Sequence, residues 1–368
     1  MREERRLRVC TCGHRDGGVM EAFTRFVAGG GRRYPREWAV RALALPVSLV
    51  LSGCVYVSGG INPFSQQRGG LQETVVEGEG RDKVVLLDIS EVITDVEEEG
   101  TLGFSTEEST VARVQEMLDV AADDGHVRAV VLRINSPGGG VTASDAIFHA
   151  LLRFKADTRT PVIASLQDLA TSGAYYVALA ADRIVASPTT VTGSIGVILL
   201  GLNVEGLMTK IGVSDQTVKS GVNKDLLSPF RRPTEEERRI VQGVIDDLYH
   251  RFVTLVRQRR KDVPAADLPW VTDGRIFTAS QALELGLVDD VGYLDDAIED
   301  AKAAARIETA RVVMYHRADE YRENLYSGRW GAGPGGRTAG GMELTLRLPR
   351  MAGPRFMYLW APGAATLP

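Results

Sequence analysis

From residue 83 onwards, short apolar runs alternate with segments of helical periodicity. Val111, Val114 and Leu118 share one face at helical spacing, which predicts a helix after the first apolar run. Runs dominated by β-branched and aliphatic residues predict buried strands at 83–89, 127–134, 161–165 and 183–186. This repeated alternation of strand and helix indicates an α/β domain over residues 82–305.

Two predicted helices begin with the form of a capping box, in which a Ser or Thr is followed three residues later by Glu. Ser105 with Glu108 has this form and is expected to open the first helix. Thr234 with Glu237 has it again and opens a long amphipathic helix that runs to about Arg260. A last Ala-rich helix is expected over residues 294–306.

Residues 1–57 are predicted to be an N-terminal extension with a lipoprotein-type signal or anchor. An apolar stretch at 40–57 follows several arginines and is too short for a comfortable membrane-spanning helix. It ends in LSGC at 51–54, which resembles a bacterial lipobox and predicts lipidation of Cys54. The alternative is an uncleaved anchor that happens to contain a cysteine, and translation could start at Met1 or Met20. Both alternatives tether the domain to the membrane on its extracytoplasmic side, in a bacterial cell envelope.

Two further segments flank the α/β domain. Residues 58–81 are rich in Gly and polar residues and are predicted to be a flexible linker. Residues 306–368 form a C-terminal extension with a Gly-rich segment and an apolar end at 354–360. Because a free apolar end would be an exposed liability, it is expected to dock on the domain. It would do so either in an apolar groove by strand addition or over an outer surface or subunit interface.

The composition of the chain excludes several classes of function and of binding site. The formal net charge of −5 gives no indication of nucleic-acid binding, which is typical of basic proteins. All three cysteines precede residue 58, and the five histidines are scattered without ligand spacing. No disulfide framework, metal or cofactor is therefore expected in the domain.

The segment 168–176, DLATSGAYY, places Ser172 where a strand gives way to an Ala-rich helix. The N-terminus of a helix offers free backbone N–H groups and a partial positive charge. Such a turn suits a nucleophilic serine whose reaction builds an oxyanion beside it. The alternative is a serine that only caps the helix.

A nucleophilic serine needs a base, and no histidine lies between His149 and His250. The lysines between Ser172 and the long helix are Lys210, Lys219 and Lys224. A neutral lysine can take the proton, and Ser–Lys pairs are an established variant of the catalytic triad. Activity should then fall at acidic pH, because the base must be neutral.

A Gly-rich turn, NSPGGGV at 135–141, lies between a strand and a helix. The turn matches neither of the common phosphate-binding motifs, G-x-x-x-x-G-K-[ST] and G-x-G-x-x-G. Its glycines could aim a backbone N–H at a carbonyl oxygen, or could simply make a tight turn.

Four motifs occur in the order seen in the signal peptide peptidase A family: NSPGGGV at 135–141, TSGAYY at 171–176, TGSIGV at 192–197 and SGVNKD at 220–225. The later DGR at 273–275 and GLVD at 286–289 are also similar. The resemblance covers residues 82–305. It implies an α/β Clp-protease/crotonase-like fold of repeated ββα units. It also implies a serine endopeptidase that degrades cleaved signal peptides and similar hydrophobic peptides at the membrane.

The resemblance also implies the site: nucleophile Ser172, general base Lys224, lysine-orienting Ser194, and oxyanion-hole donors Gly139 and Gly173. Gly138 is the alternative to Gly139 as the first backbone N–H donor of the oxyanion hole. The family shares each site between neighbouring subunits of a ring, so this single-copy chain is expected to form a homo-oligomer.

Two other functions are alternatives to the peptidase. A crotonase-type acyl-CoA hydratase or isomerase has the same fold and a glycine-supported oxyanion hole. An inactive scaffold could bind hydrophobic peptides without cleaving them. The export signal and the ordered serine and lysine motifs favour the peptidase.

Overall fold

The computed structural model describes residues 70–99, 106–318, 320, 323–327 and 356–360. The predicted N-terminal extension, Cys54 included, lies outside these residues, as does the linker up to residue 69. In the described part of the chain, no helix is long and apolar enough to span a membrane.

Within these ranges the chain forms fourteen strands and eight helices. The strands are β1 (Gln72–Glu77), β2 (Lys83–Ser90), β3 (Glu98–Glu99), β4 (Thr106–Glu107), β5 (Val127–Ser136), β6 (Gly138–Gly140), β7 (Val162–Thr171), β8 (Arg183–Ala186), β9 (Val191–Gly193), β10 (Ile198–Leu199), β11 (Ile276–Thr278), β12 (Asp290–Val291), β13 (Arg311–His316) and β14 (Phe356–Leu359). The helices are α1 (Thr110–Asp123), α2 (Val141–Thr158), α3 (Gly173–Ala178), α4 (Glu205–Ile211), α5 (Glu235–Arg259), α6 (Leu268–Val271), α7 (Ala279–Glu284) and α8 (Leu294–Ala305).

A nine-stranded sheet forms the centre of the fold. Its strands run in the order β1-β13-β2-β5-β7-β8-β12. In addition, β9 pairs with the C-terminal end of β7, and β11 pairs with β9. Pairing is parallel from β13 through β12, whereas β1 and β11 are antiparallel to their partners. The parallel strands with intervening helices confirm the predicted α/β class.

Both faces of the sheet are covered by apolar cores. Because successive side chains of a strand point to opposite faces, neighbouring residues of one strand belong to different cores. Val85 and Leu87 of β2 belong to the larger core, which includes residues of α1, α2, α3 and α5. Val84 and Leu86 belong to a second core, which α8 covers with apolar side chains. The two cores explain why these strands are predominantly apolar on both faces.

The sheet extends beyond residues 82–305 at both ends. β1 lies within the segment predicted to be a flexible linker, and it pairs with β13, which follows residue 305. In turn β13 pairs with β2. β1 was not predicted because its short β-branched sequence lies between Gly-rich segments. Its side chains are exposed or only partly buried at the edge of the sheet.

One predicted helix start is wrong and another is confirmed. The first helix begins at Thr110, because the Ser109 hydroxyl caps it by accepting from the Ala112 N–H at 3.1 Å. Ser105 lies outside the described residues. At α5, Thr234 and Glu237 form the predicted capping box with both reciprocal hydrogen bonds.

A separate three-stranded sheet lies beside α2 and α3, in the order β10-β14-β6. Its central strand is the C-terminal β14, which pairs antiparallel with both neighbours. The apolar end of the chain therefore docks on the domain, as predicted, and it does so by strand addition.

Candidate active site

Ser172 stands alone between the end of β7 and the start of α3. Its backbone has φ 53° and ψ −114°, a conformation that costs free energy for any residue with a side chain. Its N–H donates to the Gly193 carbonyl at 2.7 Å. The residue occupies the N-cap position of α3, yet its side chain makes no capping hydrogen bond. A capping role therefore does not explain this serine.

The predicted oxyanion-hole glycines come together beside Ser172. A Cβ atom built on Gly173 would lie 3.1 Å from the Gly139 nitrogen. A Cβ atom built on Gly138, whose φ is 97°, would lie 2.7 Å from the Gly173 nitrogen. These three glycines form a corner, called the glycine corner below, in which no side chain fits.

The Gly138–Gly140 side of the glycine corner is fixed by hydrogen bonds to Ser136, at the end of β5, and to Ile93, which follows β2. The Gly138 N–H donates to the Ser136 hydroxyl at 3.1 Å. The Ile93 N–H donates to the Gly138 carbonyl and the Gly140 N–H donates to the Ile93 carbonyl, both at 2.9 Å. Donors fixed in this way need no reorganisation when charge develops beside them.

Ser194 is brought to the same end of the sheet. Thr171 and Gly193 are register partners in the parallel pair β7 and β9, so Ser172 and Ser194 follow neighbouring positions. Ser194 also has a positive φ, 50°, and its N–H donates to the Arg275 carbonyl at 2.7 Å. Its side chain is buried.

Lys224 is not brought to Ser172 within the described chain. It lies in the segment that connects α4 to α5, and its side chain is exposed. Its N–H donates to the Gly221 carbonyl at 3.1 Å, but no hydrogen bond joins its ammonium group to Ser172 or Ser194.

The segment that carries Lys224 is anchored by a charged cluster that the sequence did not reveal. The Arg231 guanidinium donates to Asp225 at 2.7 Å and to Glu237 at 2.8 Å. Lys219 donates to Asp225 at 2.6 Å. Hydrogen bonds from Arg231 lower the pKa of Glu237 to about 2, and they hold the pKa of Asp225 well below its usual range. Because Glu237 also caps α5, the cluster ties the Lys224 segment to the start of that helix.

The C-terminal strand β14 occupies the groove beside the glycine corner. Tyr358 is the register partner of Gly139 in β6, and Met357 is the partner of Ile198 in β10. The Tyr358 carbonyl oxygen lies 3.0 Å from where a Cβ atom of Gly173 would be. Tyr358 itself is fully buried. The sequence had left open whether this end would enter the groove.

The chain is similar in sequence to known peptidases. The sequence profile of peptidase family S49 matches residues 155–308, and that of Clp protease matches residues 91–190. A protein of Enterococcus faecium assigned as signal peptide peptidase SppA is 38% identical over 244 residues, which cover 66% of this chain and 70% of that protein.

Longer relatives are also similar. Protease 4 of Salmonella typhi is 38% identical over 200 residues, which cover 54% of this chain and 31% of that protein. The chloroplastic serine protease SPPA of Arabidopsis thaliana is 34% identical, over 62% of this chain and 33% of that protein. The match thus spans about a third of each. A solved variant of the 1510-N membrane-bound stomatin-specific protease covers 61% of this chain with 16% identity and a TM-score of 0.39.

The fold and the profile matches define a serine peptidase with a Clp-protease-like fold. The chain belongs to peptidase family S49, the family of the signal peptide peptidase SppA proteins.

Proposed function

We propose that this protein is a membrane-tethered endopeptidase that degrades cleaved signal peptides and similar hydrophobic peptides with a Ser172–Lys224 dyad. One observation carries the proposal: Ser172 is held in a strained turn without a capping role, next to the glycine corner. Strain at a buried serine that does no structural work is typical of a functional residue.

In the proposed reaction, the Ser172 Oγ attacks the carbonyl carbon of the substrate peptide bond. The backbone N–H groups of Gly139 and Gly173 stabilise the resulting oxyanion. Neutral Lys224 accepts the proton from Ser172 and passes it to the leaving amine, while Ser194 orients the lysine. In the second half of the reaction, neutral Lys224 accepts a proton from water as the water oxygen attacks the acyl carbon. When the bond between the acyl carbon and Ser172 Oγ breaks, Lys224 gives that proton to Ser172 Oγ, which restores the serine hydroxyl and the neutral lysine.

The exposed position of Lys224 supports a site shared between copies of the chain. The same segment exposes large apolar side chains, with Val218 97% and Val222 78% exposed. Apolar side chains clustered on a surface are typical of an interaction site. We propose that a second copy covers this segment and that its Ser172 receives Lys224 there, in a homo-oligomeric ring.

The membrane tether is proposed from the lipobox-like sequence at 51–54. A lipidated Cys54 would hold the domain on the extracytoplasmic side of the bacterial membrane, where cleaved signal peptides are left. A single acyl chain binds membranes weakly, so two or three chains on one cysteine would be needed for stable anchoring.

The dyad is tested by replacing each member alone. Ser172→Ala and Lys224→Ala should each lower kcat at least about 1,000-fold, because residues acting as a unit fail together. Lys210→Ala is the matched control, since Lys210 lies on the neighbouring helix α4. Labelling by a serine-reactive acylating probe should require Ser172. Substantial turnover by Lys224→Ala would remove Lys224 from the mechanism and make Lys219 the candidate base.

The shared site is tested by mixing the two inactive variants. If serine and lysine come from different copies, co-assembled Ser172→Ala and Lys224→Ala chains should regain activity that neither has alone. A mixture that co-assembles yet stays inactive contradicts a site shared between subunits.

A further inference from the structure

A second buried serine, Ser144, packs against the glycine corner and has no part in the proposed dyad. We infer that Ser144 is a positioning residue of the active site, whose hydroxyl group sets the separation of the two backbone N–H groups that bind the oxyanion. The inference rests on the proposed function, because it concerns the oxyanion hole of that same reaction.

Ser144 is bonded to one side of the glycine corner. It lies in the first turn of α2, and its side chain is fully buried. Its hydroxyl donates to the Gly140 carbonyl at 2.9 Å. Gly140 is the N-cap residue of α2 and follows Gly139 directly, so the hydrogen bond holds the hydroxyl against the backbone that carries the first donor. A bond from serine to the carbonyl four residues earlier is common in helices and does not by itself indicate a function.

The same hydroxyl touches the other side of the glycine corner. A Cβ atom built on Gly173 would lie 2.4 Å from Ser144 Oγ, so the oxygen occupies the space that a side chain at position 173 would need. Gly173 begins α3, whereas Gly139 belongs to β6. One buried oxygen therefore lies between the two elements that carry the proposed donors.

This arrangement makes the spacing of the donors depend on Ser144. Two N–H groups stabilise an oxyanion fully only when both lie within hydrogen-bond distance of the same oxygen. Because protein interiors are closely packed, removal of the hydroxyl would let α3 and β6 shift into the space that it fills. A misplacement of about 1 Å can lower the rate of an enzyme about 100-fold.

The effect of Ser144 should appear in the transition state and not in substrate binding. The carbonyl oxygen of the bound substrate carries little charge, whereas the oxygen of the tetrahedral intermediate is an anion. Poorly aligned donors therefore lower kcat and leave KM nearly unchanged. A side chain that only supported the fold would lower stability without this division between kcat and KM.

The first test is the kinetics of Ser144→Ala in the full-length protein with one fluorogenic peptide. We expect kcat to fall at least about tenfold and KM to change by less than about twofold. Thr158→Ala is the matched control, because the Thr158 hydroxyl makes the same kind of bond at the other end of α2, to the Phe154 carbonyl at 2.8 Å. This control should keep its kcat within about twofold of wild type. Wild-type kcat in Ser144→Ala would overturn the inference.

A second variant changes the size of the group. Ser144→Cys keeps an atom between Gly140 and Gly173, but sulfur is larger than oxygen and should press the two sides apart. We expect kcat to fall at least about tenfold again, with little change in KM. A folded Ser144→Cys enzyme with wild-type kcat would show that this side chain does not set the spacing.

Two matched inhibitors separate the alignment of the donors from general damage to the site. With a peptide aldehyde, Ser172 Oγ bonds to the aldehyde carbon, Lys224 accepts the hydroxyl proton, and the former carbonyl oxygen becomes an oxyanion at the glycine corner. The corresponding peptide alcohol occupies the groove without forming this bond. Ser144→Ala should weaken binding of the aldehyde at least about tenfold and binding of the alcohol less than about twofold. Equal weakening of both would overturn the inference.

Failure of the proposed function is distinguishable from failure of this inference. If the acylating probe does not label Ser172 in the wild-type protein, the proposed function fails. If Ser172 is labelled and Ser144→Ala cleaves peptides at the wild-type rate, only the positioning role of Ser144 fails.

Discussion

Asp88 and Arg133 form an ion pair between neighbouring strands, with Arg133 Nε 2.9 Å from Asp88 Oδ1 and both side chains almost fully buried. The two residues are register partners in β2 and β5. The Arg133 guanidinium also donates to the carbonyls of Leu325 and Ser327. The pair thus holds the segment 323–327 against the sheet.

Removing one partner of this pair should destabilise the protein strongly. Asp88→Ala leaves a buried guanidinium without its carboxylate, so the free energy of unfolding should fall by about 3 kcal/mol. Denaturant unfolding measures the change. The control is Glu236→Ala, which breaks an exposed pair with Arg239 and should cost less than about 1 kcal/mol. Equal losses in the two variants would contradict a structural role for the buried pair.

Gly138 and Gly140 should respond differently to the same substitution. Gly138→Ala places a side chain at φ 97° and into the glycine corner. It should lower stability by about 1–2 kcal/mol and kcat at least about 100-fold. Gly140→Ala meets only ordinary contact, 3.5 Å from the Ala143 Cβ, and should change stability by less than about 1 kcal/mol. An active Gly138→Ala enzyme would show that the corner does not bind the oxyanion.

The Arg231 cluster should loosen in acid. Because the folded-state pKa of Glu237 is lowered from 4.5 to about 2, its stabilising effect is complete above about pH 4.5 and is lost as pH falls towards about 2. Pepsin cleavage between residues 219 and 233 should therefore become faster over that interval. Glu237→Gln should be cleaved rapidly already at the upper end of the interval. Equal resistance of the two proteins there would mean that the ion pair does not anchor the segment.

Lipidation of Cys54 remains a prediction of the sequence. Intact-mass measurement of protein extracted from bacterial membranes should show a mature chain that begins at an acylated Cys54. Cys54→Ala should leave the chain unprocessed. A wild-type chain that retains the residues before Cys54 would favour the uncleaved anchor instead.

Local sequence signals predicted the strands β2, β5, β7 and β8 and the Ser172 turn, because each depends on adjacent residues. Thr234 and Glu237 lie three residues apart, and their capping box could be predicted from spacing alone. Ser105 and Glu108 show the same spacing, yet Ser109 begins the helix. Spacing alone does not choose between the two candidate caps, and in the structure the Ser109 hydroxyl caps the helix.

Contacts between distant residues could not be predicted in the same way. The partners of Tyr358 are more than 100 residues away, at Leu248, Phe252 and Tyr176. The apolar composition of the tail predicted docking, but the strand register that places its carbonyl at the glycine corner depends on the folded groove. Arg231 forms ion pairs with both Asp225 and Glu237. The sequence pattern predicted the capping role of Glu237 but not its ion pair with Arg231.

The backbone of Ser172 also bears on the alternative of an inactive peptide-binding scaffold. Glycine would adopt φ 53° and ψ −114° without the steric cost that serine incurs. A chain under selection for fold and binding alone would therefore gain stability by exchanging this serine for glycine. Serine at this position lowers stability relative to glycine, and this cost favours the proposal that its hydroxyl group reacts.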